Sequence, residues 1–282
     1  AVLLENATNC GFVVTCNRGL QHARRDVVIL NTDIELPPGA LARIAARLVS
    51  ADDIATVTPF SNSAYGVGVP DLNFDCPPPF RAATAAIDRA FASLPPLAAV
   101  EIPRGVGFCM GLRRAAIDSI GTFDPRFGLG YGEETDFCLR ARSGGWRNVI
   151  ATDTYVRHKG GQSFGSSWQD KARAGTMSVL ARHPQYVRDV AAYLERGESR
   201  AIILAALVRL AEQTSADRCA VVWPGDGENR MSATPGPRLL IGHKGLVAVA
   251  TLVHANESYN FRFASEACLV SSLALAGLEM PA

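Results

Sequence analysis

Short, nearly uninterrupted apolar runs alternate along the chain with segments in which apolar residues recur at helical spacing. Apolar runs bounded by polar residues are typical of strands buried on both faces of a largely parallel sheet. We therefore predict strands at 26–30, 54–57, 105–112 and 146–156. The helical pattern predicts helices at 12–22, 40–49, 82–94, 113–120 and 133–143. This alternation predicts an α/β three-layer sandwich with a mixed, mainly parallel central sheet.

The pattern changes near residue 196. Residues 197–200 are predicted to form a linker, followed by helices at 201–213 and 261–276 and strands at 219–223 and 239–241. We predict two parts. Residues 1–195 form one domain, and residues 196–282 form a linker with the start of a second α/β domain or a docking appendage.

Composition narrows the class of protein. The 282 residues are 48% hydrophobic and 20% charged, which is ordinary for a globular protein, and the net charge of +1 argues against a nucleic-acid binder. The seven cysteines are scattered without a C-x-x-C pair, which favours free thiols in a reducing compartment. The longest apolar run, 201–210, is interrupted by Arg209 and is too short to span a bilayer.

The first candidate for chemistry is Asp33, which directly follows the predicted strand 26–30 in the sequence Asn31-Thr32-Asp33. Open α/β sheets bind ligands at the carboxyl ends of their strands, and carboxylate oxygens suit Mg²⁺ or Mn²⁺. A helix cap or turn is the commoner role of such an aspartate. Taken alone, the position of Asp33 at a strand end favours that structural role.

The second candidate is an acidic cluster, Glu133, Glu134 and Asp136, at the start of the helix predicted at 133–143. A helix amino terminus favours ionised carboxylates, as a catalytic base requires. The preceding Gly130 and Gly132 allow a ligand to approach the backbone. A solvated, well-capped surface helix explains the cluster about equally well.

The third candidate is His158, which lies just past the strand predicted at 146–156. Imidazole is a competent metal ligand, and the neighbouring loop 160–164 is glycine-rich and able to close over a diphosphate. Arg157 and Lys159 would add positive charge to that loop. Their presence is explained equally well if both are simply solvated basic side chains. The combination of the three candidates is what favours a functional site.

In this order, the candidates resemble the family-2 glycosyltransferases of the GT-A fold, in particular the bacterial polysaccharide and rhamnosyltransferase-like branch. The resemblance covers about residues 5–190. Five stretches carry it: Asn9–Phe12 with Asn17–Leu20, Val27–Asp33, Gly107–Arg114 with Gly121–Asp124, Gly132–Arg140, and Val156–His158 with Gly160–Phe164.

The resemblance implies a role for each matching residue. Asp33 and His158 match the metal site for Mn²⁺ or Mg²⁺, and Glu134 matches the base that deprotonates the acceptor. The residues implied to contact donor or acceptor are Asn31, Thr32, Gly107, Cys109, Glu133, Asp136 and Lys159. Asn31 stands where the family has the first acid of its D-x-D motif, and Glu134 stands where aspartate is more usual. The family's first strand and helix are expected to be missing before Asn9.

The implied activity is inverting transfer of a sugar from a nucleoside-diphosphate donor to the hydroxyl of a glycan or lipid-linked acceptor, in bacterial surface polysaccharide synthesis. The expected location is the cytoplasm, at the inner face of the cell membrane, by peripheral association. One alternative is a degenerate sugar-nucleotide or glycan-binding module, or a catalytically weak fragment. Another is a nucleotidyltransferase, which would normally show a glycine-rich phosphate loop near the first strand; none is visible.

Overall fold

The computed structural model describes residues 2–72, 76–128, 130–159, 168–215, 217–222, 236–244 and 247–278. The helices are α1 (Gly11–His22), α2 (Ala40–Leu48), α3 (Thr84–Ala92), α4 (Arg114–Ile120), α5 (Glu133–Ser143), α6 (Trp168–Arg182), α7 (Tyr186–Arg196), α8 (Glu198–Ser215) and α9 (Glu266–Leu275). The strands are β1 (Val27–Leu30), β2 (Ile34–Glu35), β3 (Ile54–Phe60), β4 (Val100–Ile102), β5 (Cys109–Leu112), β6 (Arg147–Tyr155), β7 (Arg157–His158), β8 (Ala220–Val222), β9 (Arg238–Lys244), β10 (Val247–His254) and β11 (Glu257–Phe263).

The central sheet has the strand order β1-β5-β3-β6-β4. Strands β3 and β6 pair in parallel, and the other neighbours pair antiparallel, so that β1, β3 and β6 run in one direction and β4 and β5 in the other. Every residue of β3 is buried, as expected for a strand covered on both faces. The predicted α/β class with a mixed sheet is confirmed.

Helices cover the two faces of this sheet. On one face, a Cβ at Gly111 of β5 would lie 3.1 Å from Cγ2 of Ile44 in α2, so the missing side chain admits the helix. On the other face, Nδ2 of Asn148 in β6 donates to the carbonyl oxygen of Cys138 in α5 at 3.0 Å. The three-layer arrangement therefore fixes α5, with its acidic first turn, against the sheet.

A small two-stranded sheet lies beyond the carboxyl ends of β1 and β6. Strand β2 pairs antiparallel with β7, which places Ile34 opposite His158 and Glu35 opposite Arg157. Because β2 follows β1 and β7 follows β6, this pairing joins the two chain segments that carry Asp33 and His158. It is the element that positions the candidate site.

The carboxyl-terminal part forms a second sheet of order β11-β10-β9-β8, antiparallel except where β8 and β9 pair in parallel. Helix α8 packs against both α3 and α9, and one continuous cluster of buried side chains includes Phe91, Leu207 and Leu252. The division of the chain at residue 196 stays a prediction.

The linker predicted at 197–200 is wrong. Only Gly197, in the left-handed conformation with φ of 71°, separates α7 from α8, and the next residues begin α8. Ser199 is buried and its Oγ lies 2.6 Å from Oη of Tyr193, so this turn is packed and not a free connection.

The helix predicted at 261–276 is also wrong at its start. Strand β11 continues to Phe263, and the helix begins only after Ser265, whose Oγ accepts a hydrogen bond from the backbone N–H of Cys268 at 3.4 Å. The predicted strand 105–112 is regular only from Cys109 onward, because Gly105 and Val106 cross beside Thr58 of β3.

Among the described residues, no helix has the length and apolar character needed to cross a membrane.

Candidate active site at the carboxyl end of β1

The segment after β1 is held in place by backbone hydrogen bonds on both sides. The N–H of Asn31 donates to the carbonyl oxygen of Phe108 at 2.8 Å, and the N–H of Lys159 donates to the carbonyl oxygen of Asp33 at 3.0 Å. These bonds leave the side chains of Asn31 and Asp33 free to face the residues of β7. The candidate site therefore stands on regular, hydrogen-bonded backbone.

Asp33 and His158 are brought together as the sequence predicts. Oδ1 of Asp33 lies 3.4 Å from Nε2 of His158, and each side chain is 15% exposed. Nδ2 of Asn31 lies 3.4 Å from the same nitrogen. A carboxylate, an amide and an imidazole thus meet at one partly open point.

The imidazole of His158 is oriented by its surroundings. Nδ1 lies 3.1 Å from the carbonyl oxygen of Ser63, which can only accept, so Nδ1 carries a proton and, in the neutral ring, Nε2 carries the lone pair. The ring of Phe108 stacks on the imidazole with centroids 5.1 Å apart. Asn62 exchanges two hydrogen bonds of 2.9 Å with the backbone of His158. The lone pair is therefore aimed at Asp33.

This donor set fits a hard divalent cation that shares its coordination with a ligand. A metal-binding histidine commonly donates its other ring N–H to a backbone carbonyl, as His158 does. Within the described residues, no group of three or more His, Cys, Asp or Glu side chains could hold a metal ion. Asp33 and His158 alone would therefore leave coordination positions for phosphate oxygens and water, which is how Mg²⁺ is usually held.

Glu134, in the first turn of α5, lies beside Gly107, which precedes Phe108. Its Oε1 lies 3.7 Å from Nη1 of Arg104, and its side chain is 15% exposed. A Cβ at Gly107 would lie 3.9 Å from Cβ and Cγ of Glu134. Gly107 directly precedes Phe108, whose ring stacks on His158. One short segment therefore connects the surroundings of Glu134 with those of the Asp33 and His158 pair.

Glu133, the first residue of α5, is more deeply buried than Glu134. It is 5% exposed, and its Oε2 is buried without a hydrogen-bond partner. Burial, and then the charge of Glu134, raise the pKa of Glu133 well above the usual value of a glutamate. A neutral Glu133 removes one negative charge from beside Glu134. The sugar contact predicted for Glu133 stays a prediction.

Arg104, like Asn62 and Ser63, is a residue of this site that the sequence pattern does not mark. Burial opposes its charge, but Tyr186 and the carboxylate of Glu134 outweigh that effect and raise the pKa of Arg104. Its guanidinium also lies 5.8 Å from the ring centroid of Tyr65. The available signal is its position, directly before the predicted strand 105–112, which contains Gly107 and Cys109, two of the residues implied to contact the donor.

The structure corrects the role predicted for Asp136. Its side chain is fully buried, and its two oxygens contact Nε of Arg140 at 2.7 Å, Nε2 of His183 at 2.9 Å and Nη1 of Arg182 at 3.0 Å. A carboxylate that is fully buried and bound by three side chains is not accessible to a sugar. Asp136 instead ties the first turn of α5 to the end of α6.

The structure also corrects the role predicted for Cys109. The residue is fully buried in β5, paired with Leu30, and burial raises the pKa of its thiol to about 12. It is part of the core and cannot line a sugar. Thr32 and Lys159 are exposed beside the site. The loop predicted to close over a diphosphate, 160–164, lies outside the described residues.

The chain resembles two solved glycosyltransferase structures. One is the mannosyltransferase PcManGT from Pyrobaculum calidifontis in complex with GDP-Man and Mn²⁺, with a TM-score of 0.46 and 15% identity over 77% of this chain and 58% of that chain. The other is GalNAc-T7 with UDP, GalNAc and Mn²⁺, with a TM-score of 0.46 and 13% identity over 91% of this chain and 55% of that chain.

The chain thus spans less than two thirds of the length of either structure. No protein-family model and no curated protein matches it. Both structural likenesses are distant, so the chemistry of this chain has to be inferred from its own site residues.

Proposed function

We propose that this chain carries the catalytic site of a metal-dependent, inverting glycosyltransferase. The observation that carries the proposal is the approach of Asp33 to Nε2 of His158, with Glu134 beside Gly107, the residue before the Phe108 ring that stacks on His158. The donor is a nucleoside-diphosphate sugar, and the acceptor is a hydroxyl of a glycan or lipid-linked sugar.

Asp33 and His158 are the residues that would hold Mn²⁺ or Mg²⁺. When bound, such an ion supplies Lewis-acid stabilisation of the charge that develops on the departing diphosphate. The Nδ1–H bond to Ser63 and the stacked ring of Phe108 keep the imidazole in the tautomer and plane that this role requires. Asn31 and the exposed residues Thr32 and Lys159 lie where a diphosphate or its sugar can be contacted.

Glu134 acts as the general base in this proposal. The acceptor oxygen forms a bond to the anomeric carbon, the bond from that carbon to the diphosphate oxygen breaks, and the acceptor proton passes to Glu134. A single displacement of this kind inverts the anomeric configuration and needs no protein nucleophile. Arg104, 3.7 Å from Glu134, holds the carboxylate in place before the proton arrives.

The resemblance seen in the sequence supports a narrower proposal: a family-2 enzyme of the bacterial polysaccharide branch, with rhamnosyl or hexosyl transfer and peripheral membrane association. Lys159 and Arg157, beside the site, suit a donor with two phosphates.

The experiment is a transfer assay with a panel of nucleoside-diphosphate sugars, with Mn²⁺ and with a chelator, on the wild type, Asp33→Ala and a matched exposed control, Asp52→Ala. We expect metal-dependent transfer in the wild type and the control and its loss in Asp33→Ala. Binding of a sugar nucleotide without transfer would support the binding-module alternative. Transfer of a nucleotidyl group instead of a sugar would support the nucleotidyltransferase alternative.

A further inference from the structure

The loop that precedes Glu133 and Glu134 has an unusual backbone. Three consecutive residues have positive φ: Gly130 at 132°, Tyr131 at 72° and Gly132 at 101°. Tyrosine is disfavoured in this region, so its conformation has to be imposed by the surroundings. The last residue, Gly132, is the amino-terminal cap of α5, and its carbonyl oxygen accepts the first helical hydrogen bond from Asp136 at 2.8 Å.

Helix α6 lies directly against this loop at Gly175. A Cβ at Gly175 would lie 2.0 Å from the carbonyl oxygen of Tyr131 and 2.8 Å from its carbonyl carbon. A Cβ at Gly132 would lie 3.1 Å from the carbonyl oxygen of Gly175. The two backbones are therefore in contact, and no side chain fits between them.

The contact continues along one face of α6. Val179 is buried four residues after Gly175, and Arg182 and His183 follow one turn later and bind Asp136. Glycine destabilises a helix interior relative to alanine, so Gly175 is there for the space that it leaves. The same helix thus holds the loop at one end and the first turn of α5 at the other.

We propose that Gly175 is a positioning residue, because the close approach of α6 to Tyr131 fixes the loop from which Glu134 enters the site. The inference rests on the proposed function for the role of Glu134. The packing of α6 against the loop is independent of the proposed function and can be measured separately. A substitution at Gly175 leaves the identity of every proposed substrate-contacting residue unchanged and alters only the position of the loop.

The test compares Gly175→Ala with Gly19→Ala. Gly19 also lies within a helix, but a Cβ there meets nothing within 4 Å, so the control makes the same chemical change without the clash. For Gly175→Ala we expect kcat to fall about tenfold or more, with KM for the donor and affinity for Mn²⁺ with the free nucleoside diphosphate within about twofold of wild type. Gly19→Ala should leave all three within about twofold.

Hydrogen–deuterium exchange gives a readout that does not depend on activity. We expect faster exchange in Gly175→Ala confined to residues 130–136 and the facing part of α6, and no such change in Gly19→Ala. If the wild type transfers no sugar, the proposed function fails while exchange still tests the packing. If Gly175→Ala does not fold, Val179→Ala replaces it, because that variant loosens the same face without adding a clash.

Two results would overturn the proposal. One is a kcat of Gly175→Ala, or of Val179→Ala in its place, within about twofold of Gly19→Ala, which would show that the contact does not set the position of Glu134. The other is a rise in exchange spread over the whole chain, which would show a general loss of stability.

Discussion

Nδ1 of His158 donates its proton to the carbonyl oxygen of Ser63 at 3.1 Å, and this bond determines which ring nitrogen faces the site. Ser63 belongs to the segment after β3, whereas His158 follows β6. The parallel pairing of these two strands brings the segments together. The hydrogen bond between His158 and Ser63 is thus a consequence of the sheet topology. Because this bond occupies Nδ1, Nε2 is the ring nitrogen that faces Asp33.

Removing the imidazole should weaken metal-assisted nucleotide binding. In His158→Ala, we expect the affinity for a nucleoside diphosphate in the presence of Mn²⁺ to fall at least about 10-fold, since one of two protein ligands is lost and removing a residue that only orients a metal ligand already costs about 10- to 100-fold. Isothermal titration calorimetry measures this directly. Binding without Mn²⁺ should change much less. The exposed His22, changed to alanine, is the control, and equal effects of the two variants would contradict the assignment.

Glu134→Gln should remove the base while keeping the shape of the side chain. We expect kcat to fall about 100- to 10,000-fold, because general-base catalysis contributes rate factors of that size. KM for the donor should change little. Glu134→Asp, which keeps the carboxylate but shortens its reach, should lose less activity than Glu134→Gln. Steady-state kinetics measure these effects, on variants whose melting temperature is unchanged. Near wild-type turnover of Glu134→Gln would exclude Glu134 as the general base.

Glu133 should make stability depend on pH. Its folded pKa is raised, so the neutral side chain stabilises the fold at pH values below the unfolded pKa, and this contribution is lost as the pH rises through the folded pKa. Glu133→Gln should therefore flatten the fall in unfolding free energy between about pH 5 and about pH 8. Denaturant titrations at several pH values measure it. The exposed Glu195→Gln should retain the wild-type slope; an unchanged slope in Glu133→Gln would contradict the burial argument.

Asp136→Asn should destabilise the fold. The substitution removes the charge from a fully buried carboxylate that contacts Arg140, Arg182 and His183. We expect a loss of about 2–4 kcal/mol of unfolding free energy, somewhat below the usual range for breaking a buried ion pair because both arginines are partly exposed. Chemical denaturation gives the value. Asp53→Asn, which breaks the exposed pair with Arg147, should cost less than about 1 kcal/mol.

Much of the fold is predictable because its signals are local. Helix α5 begins and ends at the predicted residues, since glycines flank an uninterrupted helical segment. Asp33 and His158 were each placed at a strand end, and strand ends of one direction meet at the same edge of a sheet. Their approach to 3.4 Å therefore follows from topology that the apolar runs already indicate.

The rest depends on contacts that the sequence does not mark. Glu133, Glu134 and Asp136 look alike as a cluster, but neighbours on a helix are turned by about 100° per residue and so face different surroundings. Glu133 is buried with one oxygen lacking a hydrogen-bond partner, Glu134 reaches Arg104, and Asp136 binds Arg182 and His183 at the end of α6. Gly175 is likewise an unexplained glycine in a helix until the backbone of Tyr131 is seen beside it.

The configuration of the product's new glycosidic bond, determined by NMR on the full chain with its accepted donor, tests the central claim most directly. With Mn²⁺ present we predict a product whose anomeric configuration is opposite to that of the donor, and no product once a chelator removes the metal. A product that retains the donor's configuration, or transfer that is unaffected by the chelator, would contradict direct displacement assisted by a metal at Asp33 and His158.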